Sequence, residues 1–144
     1  MPEEKEPPII VSACLAGLRT NYLGEAWPYP KIIEMVRKGK AIPICPEQLG
    51  GLSTPRIPAE RRGDQVIDKN GMDRTEQFNR GAELVSQLVE LTGAKVAVLK
   101  ADSPSCGVGR TYDGTFSDTL IAGDGVTAER LRKLGMELFT EENF

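Results

Sequence analysis

Histidine is absent from all 144 residues. That removes the Ser-His and Cys-His nucleophile pairs, the HExxH zinc sites and the commonest general base. Catalysis in such a chain falls to Cys, Asp, Glu, Lys, Tyr, Ser, backbone amides or a cofactor. Positive charge is not in excess either. Eighteen Lys and Arg stand against 21 Asp and Glu, a formal net charge of −3, so no global basic field draws in nucleic acid or an anionic membrane. No apolar run approaches the roughly 18–20 residues that cross a bilayer. Cysteine is scarce, and its count of three is odd, which argues against a disulfide framework and leaves free thiols or metal ligands. The opening Met1-Pro2-Glu3-Glu4-Lys5-Glu6-Pro7-Pro8 is acidic and proline-rich, unlike a secretory or mitochondrial leader, and leads us to expect a cytoplasmic protein.

What remains suits one globular domain, since 40% apolar residues can build a core. We expect residues 1–7 to form a flexible tail and 8–144 a single domain. Ile9-Ile10-Val11 reads as a short buried strand, and Pro30 to Lys38 as a helix stopped by Gly39. Ala41 to Cys45 reads as a second strand, weakened by Pro43. From Pro46 to Asn70 prolines, Gly50-Gly51 and the basic Arg56, Arg61 and Arg62 spoil any period, and a long irregular segment is expected, with a small strand at Gln65–Asp68. The three arginines suit an anion or a solvated charged face. Asp73-Arg74-Thr75-Glu76 has capping-box spacing before a helix with Phe78, Ala82, Val85, Leu88, Val89 and Leu91 on one face, ending at Gly93. A strand over 95–100, a glycine-rich stretch, a helix from Thr127 to Leu134 and a closing strand near Met136 to Phe139 complete the chain. The alternation predicts an α/β domain, a three-layer sandwich around a mainly parallel, Rossmann-like sheet, with ligands outside the carboxyl ends of the strands.

Each cysteine falls at or just past such an end. Cys14 follows the strand at Ile9–Val11, Cys45 the one at Ala41–Ile44 and Cys106 the one at Val96–Leu99, each with glycine or proline beside it to permit a tight turn. Free cysteines are often inert small hydrophobes, so spacing alone leaves buried thiols and a metal or cluster site both open. Without a CxxC motif a structural zinc site is disfavoured. Three thiolates without histidine suit an iron–sulfur cluster, and a fourth iron would then lack a protein ligand. A three-cysteine zinc hydrolase is the rival, because Cys45-Pro46-Glu47 matches half of a zinc deaminase motif; the Pro-Cys-x-x-Cys half is missing. Glu47 stands two residues from a candidate ligand as a potential acid or base. Ser103 and Ser105 flank Pro104, so either hydroxyl can face the same space. Gly107-Val108-Gly109 lacks the third glycine of a dinucleotide loop, since Tyr112 occupies that place.

The runs Val11-Ser12-Ala13-Cys14-Leu15, Cys45-Pro46-Glu47-Gln48-Leu49-Gly50-Gly51, Ser53-Thr54-Pro55-Arg56, Ser103-Pro104-Ser105-Cys106-Gly107 and Tyr112-Asp113-Gly114-Thr115-Phe116, in this order, resemble the thiouracil desulfidase family. Gly125-Val126-Thr127-Ala128 and Glu141-Glu142-Asn143 extend the resemblance to nearly the whole chain. It implies a [4Fe–4S] cluster held by Cys14, Cys45 and Cys106, with one open iron that takes the sulfur of 2- or 4-thiouracil while water replaces it on the ring. It also implies a catalytic glutamate at Glu47 and a catalytic serine at Ser103. Ser12, Ser105 and Asn21 are the expected substrate contacts, and a small thiolated pyrimidine the expected partner. One departure stands out: where the family often carries Arg-Tyr-Asp-Gly, this chain has Asn21-Tyr22-Leu23-Gly24. A non-enzymatic cluster sensor or storage module is the alternative use of the same ligands.

Overall fold

The apolar β-branched stretches pair as parallel strands, and the chain between them returns as helices. The computed structural model describes residues 6–144, so most of the expected tail lies outside the described residues. Strand β1 (Ile9–Ser12) runs into a single 3₁₀ turn, Ala13–Ala16. Helix α1 (Pro30–Arg37) begins with a proline at its first position, where a missing N–H costs nothing. Then follow β2 (Ala41–Ile44), the one-turn helix α2 (Pro46–Leu49), and the hairpin β3 (Ala59–Arg62) and β4 (Gln65–Asp68). Helix α3 (Thr75–Thr92), β5 (Val96–Leu99), the hairpin β6 (Arg110–Tyr112) and β7 (Leu120–Ala122), α4 (Val126–Lys133) and β8 (Glu137–Thr140) complete the order.

The main sheet has the order β2-β1-β5-β8 and is parallel throughout. Alternation along the strands sorts side chains to two faces. Ile10, Ala97 and Leu99 pack with Val85, Val89, Ala128 and Leu131 of α3 and α4. Val11 and Val98 pack with Ile32 of α1 and with Leu15. Helices thus cover both faces, giving the three layers expected. β1 sends the chain outward to β2, whereas β5 and β8 lie on its other side, so strand order reverses between β1 and β5. Such a switch point is where open α/β sheets bind ligands.

Several local expectations need correction. The segment 46–70 is not irregular throughout: Pro46 starts α2, and Gly63-Asp64, with Gly63 at φ 60°, turns the β3–β4 hairpin. The glycine-rich stretch likewise contains the β6–β7 hairpin. No side-chain cap closes α3; instead Asp73 Oδ1 accepts from the Thr75 amide at 2.8 Å, and Thr75 Oγ1 accepts from Val66 N at 2.9 Å. Leu91 is 84% exposed and leaves the apolar face, while Phe78, Ala82, Val85 and Val89 are buried. Pro43 is tolerated because β2 is an edge strand. No helix among the described residues is long and apolar enough to cross a membrane.

Candidate metal centre

Register carries the cysteines to one edge. Ser12 pairs with Ile44, so Cys14 and Cys45 leave neighbouring strands at the same level, and Val11 pairs with Val98 of β5, whose following loop carries Cys106. Cys14 sits in the 3₁₀ turn, and its carbonyl accepts from Trp27 N at 3.0 Å. Cys45 is the residue before α2, and its carbonyl takes the Leu49 amide at 3.0 Å. Backbone contact locks α2 on α3: a Cβ on Gly81 would fall 2.0 Å from Pro46 O, and one on Gly50 1.9 Å from Gln77 O. Only glycine permits that approach. The Cys106 turn is closed around Ser103, whose Oγ accepts from Ser105 N at 3.1 Å and Cys106 N at 3.0 Å.

These segments surround one cavity of about 510 Å³, whose wall includes Ser12, Cys14, Asn21, Cys45, Glu47, Ser103 and Cys106. Seven of the eight anticipated site residues therefore meet there. Ser105 does not: it is fully buried, with Oγ 2.9 Å from Thr127 Oγ1 behind the turn. Its expected substrate contact is replaced by a role in fastening the loop to α4. Ser12 Oγ accepts from Lys100 N at 2.9 Å, which ties the end of β1 to the chain leaving β5 beside the cysteines. Asn21 Oδ1 accepts from the Leu23 and Glu25 amides at 3.0 and 2.7 Å, which leaves its buried Nδ2 without a protein partner. Leu23, the other residue that departs from the family pattern, is 54% exposed and outside the wall.

The arginines divide. Arg61 pairs with Glu129 at 2.6 Å, and Arg62 donates to Gly114 O at 2.6 Å. Arg56 is no solvated charge: its side chain is only 6% exposed, and its Nη2 lies 3.3 Å from Glu47 Oε2. Burial pushes the Glu47 carboxyl above its ordinary value, and the Arg56 cation opposes that rise. Two further wall residues escaped the sequence reading. Lys100 Nζ pairs with Glu141 Oε2 at 2.9 Å and lies 5.0 Å from the Trp27 ring centroid. Lys100 directly follows a strand pointing at the site, a signal that was available; Trp27 carried none.

Burial raises all three thiols, Cys14 to about 12. Thiols so placed stay protonated at neutral pH unless a metal replaces the proton. Among the described residues no three Cys, Asp or Glu side chains gather around a point that a single ion would fill. Three thiols lining one cavity, in a chain without histidine, fit the thiolate donor set of an iron–sulfur cluster better than that of zinc.

The profile of the 2-thiouracil desulfurase family matches residues 9–143. An uncharacterized protein of Bacillus subtilis (strain 168), YbbK, is 39% identical across 92% of this chain and 95% of its own length. The solved structure of a [4Fe-4S]-dependent thiouracil desulfidase, TudS, is 43% identical, covers 95% of this chain and 92% of that one, and superposes with a TM-score of 0.91.

Proposed function

Because the chain belongs to the 2-thiouracil desulfurase family, we propose that it is a [4Fe–4S]-dependent enzyme that removes sulfur from thiolated pyrimidines. Cys14, Cys45 and Cys106 hold the cluster. When bound, a cluster with three thiolate ligands supplies one Lewis-acidic iron with a position free for a substrate sulfur. The reaction is a hydrolysis: the ring C–S bond breaks, the same carbon gains the oxygen of water, and sulfur leaves as hydrosulfide. No electrons are exchanged overall.

The protein's part is to place water, ring and protons. Glu47 takes a proton from the attacking water at its carboxylate, a task favoured by a carboxyl whose affinity for protons burial has raised. Both acceptor directions of Ser103 Oγ are occupied by amides, so its hydroxyl remains as a donor toward the ring. Asn21 Nδ2, buried and unpartnered in the wall, is a second donor for a ring oxygen or nitrogen. Trp27 gives the cavity an aromatic wall on which a flat pyrimidine stacks. The substrate is a free small molecule, and the enzyme works in the reducing cytoplasm that open clusters and free thiols require.

The observation that carries this reading is the convergence of three thiols, Glu47 and Ser103 on one cavity at the switch point of the sheet. Anaerobically reconstituted protein, given 2- or 4-thiouracil, is expected to release sulfide and uracil in equal amounts. A loaded protein that releases neither serves as a sensor or store instead.

A further inference from the structure

Arg56 touches more of the site than one ion pair. Its Nη1 donates to Thr54 Oγ1 at 2.8 Å. Its Nη2 faces three acceptors: Thr20 O at 3.0 Å, Glu47 Oε2 at 3.3 Å and Cys45 Sγ at 3.9 Å. Thr20 belongs to the loop after Cys14, so one guanidinium joins both candidate ligand segments and the catalytic carboxylate. Taking a cation this far from water is costly unless it is paired and hydrogen-bonded, and Glu47 is its ion-pair partner. A lysine point charge cannot span these directions; a planar fork can.

We propose that Arg56 is a positioning residue that holds the Glu47 carboxylate against the cavity and donates a charged hydrogen bond to the sulfur of Cys45. In the free thiol, Cys45 Sγ itself donates to Thr20 O at 3.7 Å. Once that sulfur is a ligand it carries no proton and only accepts, and the Arg56 N–H is the cationic donor beside it. Hydrogen bonds and positive charge near a ligand sulfur favour the reduced cluster, so Arg56 raises the reduction potential. The Glu47 half of the assignment rests on the desulfidase reading; the sulfur half does not.

The test uses the reconstituted full chain and the variants Arg56→Gln, Arg56→Lys, Glu47→Gln and the Arg56→Gln/Glu47→Gln double variant. Arg56→Gln is expected to lower kcat about 10–100-fold with KM little changed, and to move the cluster potential to more negative values. Arg56→Lys restores most of the potential but not kcat. The double variant removes both charges, so it avoids leaving either one buried alone. It is expected to turn over no more slowly than Glu47→Gln, with a potential below that of Glu47→Gln by the shift that Arg56→Gln causes in the wild type. A potential unmoved in Arg56→Gln against the wild type and in the double variant against Glu47→Gln overturns the sulfur contact, and additive losses of kcat overturn the positioning of Glu47. A wild-type protein that releases no sulfide, yet whose potential falls on Arg56→Gln, refutes the desulfidase reading and leaves the sulfur contact standing.

Discussion

Glu47 is the residue on which chemistry and binding separate most cleanly. Glutamine keeps its shape and a hydrogen-bond acceptor but cannot take a proton, so Glu47→Gln is expected to retain full iron loading and lose about 10²-fold or more in kcat. Serine at Cys14, Cys45 or Cys106 has the opposite signature, an empty cluster by absorbance and iron content. The departure at 21–24 also divides. Asn21→Asp keeps the acceptor that holds the Leu23 and Glu25 amides but loses the Nδ2 donor. Its KM for thiouracil is expected to rise several-fold, whereas Leu23→Asp, outside the cavity wall, leaves steady-state kinetics unchanged. The thiols and Glu47 were legible in the sequence because reactive residue types recurred at strand ends. Arg56 was not, because its burial depends on contacts from Thr20, Cys45, Glu47 and Thr54, which no local pattern joins. Ser105 was misplaced for a related reason: two serines flank Pro104, and only the fold of the turn decides which one faces the cavity.

Short elements hold the site, and they are the ones that periodicity does not reveal. Helix α3 announced itself by eighteen residues with one apolar face, but α2 is a single turn, and its place depends on Gly50 and Gly81 meeting backbone carbonyls. Gly81→Ala is expected to destabilise the protein by about 1–3 kcal/mol through forced separation of α2 and α3. It should also slow turnover, because Cys45 immediately precedes α2 and Glu47 lies in it. Urea unfolding with an unchanged m-value, together with kcat, checks both. The β3–β4 hairpin, hidden among prolines and arginines, is fixed at its end by Asp68. Although burial alone would raise that carboxyl, the Met72 and Asn70 amides and Arg74 hold it below its ordinary range.

On the scale of the molecule, the parallel sheet and its two helical layers follow from the alternation of apolar runs, and the peripheral hairpins complete the cavity wall with Ala59, Glu60, Tyr112 and Phe116. Those hairpins are held partly by carboxylates. The Arg132 side chain keeps Asp124 low, and Thr115 does so for Asp113. Groups lowered on folding stabilise the native state above their unfolded value, 3.8, and that contribution is lost as pH falls through the lower folded values. Stability is therefore expected to fall from about pH 5 toward about pH 2, less steeply in Asp124→Asn, as read from denaturant midpoints.

Hydrolytic removal of sulfur at a cluster held by this chain puts an oxygen atom from solvent on the pyrimidine. The direct measurement is anaerobic incubation of the iron-loaded protein with 4-thiouracil in ¹⁸O-enriched water, following sulfide and the mass of the pyrimidine product together. The predicted result is labelled uracil and sulfide in equal amounts, both abolished in Cys106→Ser. Unlabelled product, or a fully loaded protein that leaves thiouracil intact, would contradict it.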